Sequence, residues 1–188
     1  DFYEDIFGID PSISGGATIA NGQINIEGHT GSVSELEITG DNMVVNKSTN
    51  PTLPFTFDEI QEANGESVRT SFIAYDSLGQ EIILDLNIVL EEKSNAGTTW
   101  RFYVQSEDDS DLSRILGDGT LKFDTNGRFL LATDTEITLD LDNTGALNPQ
   151  TITLNFEDED ALSALAAPQS TIAAQSQDGS PIGTLESF

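Results

Sequence analysis

Along most of this chain, apolar side chains recur at every second position. Ile82, Leu84, Leu86, Ile88 and Leu90 share one face of a run whose other positions include Asp85, Asn87 and Glu91. Nine residues at about 3.3 Å each predict a strand roughly 30 Å long. Trp100, Phe102 and Val104 alternate with Arg101, Tyr103 and Gln105, and Ile137, Leu139 and Leu141 with Thr138, Asp140 and Asp142. Ile152, Leu154 and Phe156 repeat the pattern. Each run predicts a half-buried strand with a polar outer face, as in antiparallel sheets.

Turn chemistry separates the runs. Asp76-Ser77-Leu78-Gly79 lies between Phe72–Tyr75 and Ile82–Leu90, and Thr125-Asn126-Gly127 between Leu121–Phe123 and Phe129–Leu131. Gly79 and Gly127 supply the positive φ of a tight turn, and Asp76 and Asp124 can cap those turns through Asx hydrogen bonds. Asn95-Ala96-Gly97 closes a third predicted hairpin onto Trp100, which reads as a core aromatic. Consecutive hairpins predict an all-β fold: an antiparallel meander forming a sandwich or open barrel, with a second, smaller β region built from the flanking segments.

The flanks carry shorter strand candidates at Gln23–Glu27, Glu35–Thr39 and Met43–Asn46, after which Pro51 and Pro54 bracket a linker-like stretch. Beyond Phe156, acidic residues lead an Ala/Leu run that Pro168 would stop, predicting one short helix over 157–167. Gln169–Ser176 reads as a connector. The expected division is residues 1–51 as an N-terminal flanking β region, residues 52–168 as the main β domain, and residues 169–188 as a return segment.

Composition narrows the possible functions. Apolar residues make up 37% of 188, and 16 glycines bring the total to an ordinary globular share. No apolar run is long enough for a membrane-spanning helix. Thirty-three acidic residues against 7 basic ones give a net charge of −26. So few cations cannot neutralise a phosphate backbone, and an anionic membrane surface would repel the chain, so neither nucleic acid nor membrane is an expected partner. The chain opens at Asp1 without a methionine or an apolar leader, and reads as an excised piece of a longer protein.

Candidate chemistry is sparse. Cysteine is absent, which excludes disulfides and thiolate metal sites. The one histidine, His29, sits between Gly28 and Thr30-Gly31 in a glycine-flanked loop, where it is expected to be incidental. No partner exists for it in a zinc site, and no Gly-x-Ser-x-Gly elbow accompanies it. Asp108, Asp109, Asp111 and Asp118 gather around Gly117 and Gly119, while Asp140 and Asp142 precede Asn143-Thr144-Gly145. Neither group has the spacing of an EF-hand loop, so both are expected to be solvated turns. No catalytic, cofactor or metal site is expected.

Five ordered segments, Thr70–Glu81, the strand of Trp100, Gly119–Phe129, Ile152–Phe156 and Gln177–Leu185, together resemble the outer, surface-exposed β domains of bacterial flagellar hook proteins. Thr70–Glu81, containing Tyr75, Asp76, Ser77, Leu78 and Gly79, is similar to that family's Tyr-Asp-Ser-Leu-Gly-Asn turn, with Gln80 in place of Asn. Trp100 follows on a Trp-containing strand. Gly119–Phe129, with Leu121, Phe123, Asp124 and Gly127, resembles its Gly-x-Leu-x-Phe-Asp-x-x-Gly-x-Leu hairpin. Ile152–Phe156 resembles its Ile-x-Leu-Asp-Phe strand, with Asn155 for Asp. Gln177, Asp178, Gly179 and Gly183 match the segment that re-enters the inner domain.

The resemblance implies a structural subunit, not an enzyme, without cofactors, that self-assembles into the flexible tube joining flagellar motor to filament. Residues 52–168 would then be the hook's outer domain, and residues 1–51 part of the inner domain or an insertion. It further implies export by the flagellar type III apparatus without a cleaved signal peptide, an extracellular position in the hook, and hook cap and hook–filament junction proteins as partners. The piece alone, lacking the terminal helices and strongly charged, is expected to be monomeric. The alternatives are a secreted calcium-stabilised adhesive β domain and a basal-body rod protein of the same superfamily.

Overall fold

The computed structural model describes residues 7–36, 57–111 and 113–156. The alternating runs form a five-stranded antiparallel meander: β3 (Ser67–Tyr75), β4 (Glu81–Ser94), β5 (Gly97–Gln105), β6 (Ile115–Phe123) and β7 (Phe129–Thr133), paired in that order. Two small hairpins accompany it, β1 (Gly16–Ala20) with β2 (Gln23–Glu27), and β8 (Glu136–Leu139) with β9 (Gln150–Thr153). One turn of 3-10 helix spans Ser32–Ser34. The meander does not close on itself into a barrel.

One face of the large sheet is dry. Ile82, Leu84, Leu86 and Ile88 from β4, Trp100, Phe102 and Val104 from β5, and Leu116, Leu121 and Phe123 from β6 pack against Ile137, Leu139, Leu141 and Phe156. The β8–β9 layer thus lies over the meander as the smaller half of an unequal sandwich. Phe102, Leu84, Ile88, Leu121, Ile137, Leu139 and Val104 are fully buried. Such burial contributes about 1.5–3 kcal/mol per side chain over exposure. Opposite Phe102 stands Gly119, where a β-carbon would lie 2.6 Å from the phenyl ring and 2.2 Å from the Thr133 carbonyl oxygen. The aromatic ring occupies the space that glycine leaves.

The other face departs from the expected polar alternation. Asn87, Val89 and Tyr103 belong to the polar register of β4 and β5, yet each is buried. Residues 7–36 cover them: the Gln105 side-chain amide donates to the Gly8 carbonyl, and Ser34 and Tyr103 share a hydroxyl–hydroxyl bond of 2.6 Å. Backbone N–H groups of Gly31 and Ser32 donate to the carbonyls of Asn64 and Gly65. The strands therefore have two covered faces over part of their length, and only the uncovered part, with Ile83 exposed, follows the simple alternation.

Among the flanking candidates, Gln23–Glu27 is a strand, and Glu35 and Leu36 are not in one. Residues 37–39 of the Glu35–Thr39 candidate, Met43–Asn46, the Pro51–Pro54 stretch, the 157–167 helix and the Gln169–Ser176 connector lie outside the described residues.

Candidate functional site

Two turns with one hydrogen-bond plan stand at opposite ends of the large sheet. In the β3–β4 turn, Asp76 Oδ1 accepts from the backbone N–H of Leu78 and of Gln80, both at 2.8 Å. In the β6–β7 turn, Asp124 Oδ1 accepts from Asn126 and Arg128, again at 2.8 Å. Gly79 and Gly127 follow their aspartates by three residues, with φ of 82° and 76°, values that a β-carbon disfavours. The Arg128 N–H, and then that of Asn126, hold the Asp124 carboxyl below its ordinary pKa, because both donate to the charged form.

The surroundings of these turns differ. The β3–β4 turn belongs to an interlocked end: Ser77 Oγ accepts from the Leu147 N–H, the Gln150 amide donates to the Tyr75 carbonyl, and Asp108 accepts from the Ile83 N–H. Leu78 is exposed at its tip. The end that carries Asp124 is narrow: a β-carbon on Gly97 would lie 2.0 Å from the Phe123 carbonyl oxygen. Trp100 points into the dry core, 3% exposed, its Nε1–H donating to Thr98 Oγ1. Leu121 and Phe123 are core residues beside it, whereas Gln177, Asp178, Gly179 and Gly183 lie outside the described residues.

The acidic groups are rearranged by the fold. Asp109 and Asp111 of the β5–β6 loop approach Asp140 and Asp142, two groups that are separate in sequence, through Ser110, whose hydroxyl donates to the Asp140 carbonyl. Partial removal from water, and then repulsion from Asp111, Asp109 and Asp142, push the Asp140 carboxyl above its ordinary pKa. Asp118 is not among them. It pairs with Arg101 at 2.8 Å on the covered face of the sheet. Among the described residues no group of three or more histidine or acidic side chains is arranged to hold a metal ion.

A third constellation lies where residues 7–36 cover the sheet, and the sequence reading passes over it. His29 is buried, 7% exposed, with its ring edge-on to Tyr103 at 4.8 Å between centroids. Its Nε2 accepts a 2.8 Å hydrogen bond from the backbone N–H of Asp10. Burial lowers its pKa, opposed by the negative fields of Asp10 and Asp118. Burial likewise pushes the Tyr103 hydroxyl up. A crevice of about 140 Å³ beside them is lined by Ile13, Ser14, Glu91 and Arg101 among others. It is smaller than the roughly 300 Å³ at which small-molecule sites begin. The signal for this site was Val89 and Tyr103 on the nominally polar register, since two large side chains there require a cover.

Comparison with known families gives a match over most of the chain. The family described as the flagellar basal body protein FlaE D2 domain matches residues 42–180, a span that holds the whole meander and the β8–β9 hairpin. No curated protein and no solved structure matches the chain.

Proposed function

This chain belongs to the flagellar hook protein family that carries the FlaE D2 domain, and we propose that it is the surface-exposed part of a hook subunit that transmits motor torque. Its role is of the hook structural type. In the finer reading, the protein that contains it polymerises into the flexible tube between motor and filament, outside the cell, after type III export. The hook cap and the hook–filament junction proteins are its partners there. Residues 52–168 form the outer domain, residues 1–51 its N-terminal flank, and residues 169–188 the return toward the inner part of the subunit.

The observation that carries this reading is the family match, because it spans the five-stranded sheet continuously. The architecture suits the role. A universal joint needs modules that keep their own shape while sliding past neighbours, and the dry face of the sheet supplies that internal rigidity. A net charge of −26 leaves the outer surface strongly hydrated, and hydrated polar contacts exchange partners at modest cost. The same residues, Tyr75 to Gly79 and Asp124 to Gly127, act here through shape: they fix where each hairpin reverses.

Deleting the gene for the containing protein in its own bacterium tests the reading. Electron microscopy of the deletion strain is expected to show basal bodies without hooks, with swimming lost and both restored by re-expression. Hooks of normal form in the deletion strain would refute it.

A further inference from the structure

His29 is the chain's one histidine, and it sits at the centre of the contact between residues 7–36 and the covered face of the sheet. The geometry fixes its charge state. The Asp10 backbone N–H is a donor, so Nε2 must carry a lone pair, and the ring is neutral with its proton on Nδ1. A proton on Nε2 would set donor against donor and would place a charge in a site 7% exposed.

We propose that His29 is a pH-operated latch: neutral, it holds the segment around Asp10 against the sheet, and protonated, it releases that segment while the dry core stays intact.

Charged groups face the ring from every element packed around it. From the covering segment itself comes Asp10, whose carboxylate accepts from the Ser12 N–H. From β4 comes Glu91 and from β6 comes Asp118, and Arg101 of β5 engages both, at 2.9 Å and 2.8 Å. From β5 comes Tyr103, whose hydroxyl is bonded to Ser34 and lies within the field of Arg69. Three carboxylates against one guanidinium leave a net negative field that favours an imidazolium, and removal of the ring from water opposes it. Desolvation outweighs that field and lowers the pKa.

The linkage follows in sign. A histidine whose docked pKa lies below its free value binds its proton more readily when the segment is open. Docking is therefore at full strength above the free value of about 6.5. It weakens as the pH falls from there toward the docked value, and levels off below that. His29 is the chain's one histidine, so no second imidazole contributes to the effect. The inference does not rest on the hook reading.

Hydrogen exchange followed by NMR on the 188-residue chain tests it, with Asp10 reporting on the latch and Leu84 on the core. Between about pH 6.5 and the docked pKa, Asp10 exchange corrected for intrinsic rate is expected to rise about tenfold per pH unit lost, with Leu84 unchanged. In His29→Ala, Asp10 should exchange fast at every pH, with Trp100 fluorescence confirming an intact core. In His29→Gln, whose amide oxygen accepts without titrating, the profile should be flat. It supports the proposal whether flat and slow, the amide replacing the imidazole, or flat and fast, only the imidazole serving. The His29 ring proton signals should titrate below the free value. A wild-type Asp10 profile with no pH dependence, the same slope surviving in His29→Gln, or a ring midpoint at or above about 6.5 would overturn it.

Discussion

The two faces of the five-stranded sheet are made from the same strands and solve different problems. On one, Ile82, Leu84, Leu86, Ile88, Trp100, Phe102 and Val104 form a single apolar cluster with Ile137 and Leu139 of the β8–β9 layer. On the other, Tyr103 and Gln105 meet residues 7–36 through hydroxyl, imidazole and amide contacts. A dry face gains free energy from area and is indifferent to exact donor placement. A polar cover must satisfy each group it hides, so it is specific and locally weak. The first face sets the global stability of the module. The second decides where the preceding segment lies, and can let go without unfolding the rest.

The largest expected effect tests the dry face. Trp100→Ala empties a site that is 3% exposed, and is expected to destabilise the chain by about 3–5 kcal/mol in urea denaturation. A loss below about 1 kcal/mol would mean that the face does not hold the module together, and the contrast would fail. Next comes Gly119→Ala, which drives a methyl into the Phe102 ring and the Thr133 carbonyl, at a cost of about 1–3 kcal/mol. Pairing it with Phe102→Leu separates the two obstacles. If the smaller side chain relieves most of the penalty, the ring is the main conflict, and if it relieves none, the β7 backbone is.

These two positions show what the sequence made legible. The period-two runs are local, so the dry face, the meander and its turns could be read from residues a few places apart. The covered face could not, because its partners are distant: Ser34 meets Tyr103 across 69 positions and Gly8 meets Gln105 across 97. Only Val89 and Tyr103, large side chains on a nominally polar register, hinted at a cover. The β1–β2 hairpin was half visible. Gln23–Glu27 alternates, but Gly16–Ala20 has one large apolar side chain, the exposed Ile19, and the Asn21-Gly22 pair, with φ of 53° and 77°, was the stronger sign of its turn. His29 looked incidental because its loop carries no motif; its role comes from what folds over it.

A smaller effect tests the covered face itself. Tyr103→Phe removes one hydroxyl from a part-buried pair and leaves the ring in place against His29. The net cost is expected to be about 1 kcal/mol. Its location matters more than its size. Exchange should quicken at Ser34 and its neighbours and stay unchanged at Leu84 and Ile88. Equal quickening on both faces would show that the cover and the core open as one unit, which would erase the distinction between them.

The smallest effect concerns the rim of that same face. Arg101 bridges Glu91 and Asp118, but its side chain is 26% exposed and those of its partners are 43% and 31% exposed. Water already solvates much of each charge, and holding a long side chain between two carboxylates costs rotamer freedom. Glu91→Gln keeps the shape of the side chain and leaves Arg101 bonded to Asp118. The expected loss is therefore within about 0.5 kcal/mol, and it should shrink further as salt is raised toward about 1 M, where screening acts within roughly 3 Å. The charge of −26 pushes the same way, since removing one more negative group eases self-repulsion across the chain and offsets part of the lost pair. A loss above about 1.5 kcal/mol that persists in high salt would place Arg101 among the groups that hold the module together. The polar face would then share in global stability, and its looseness, on which both the latch and the contrast depend, would have to be given up.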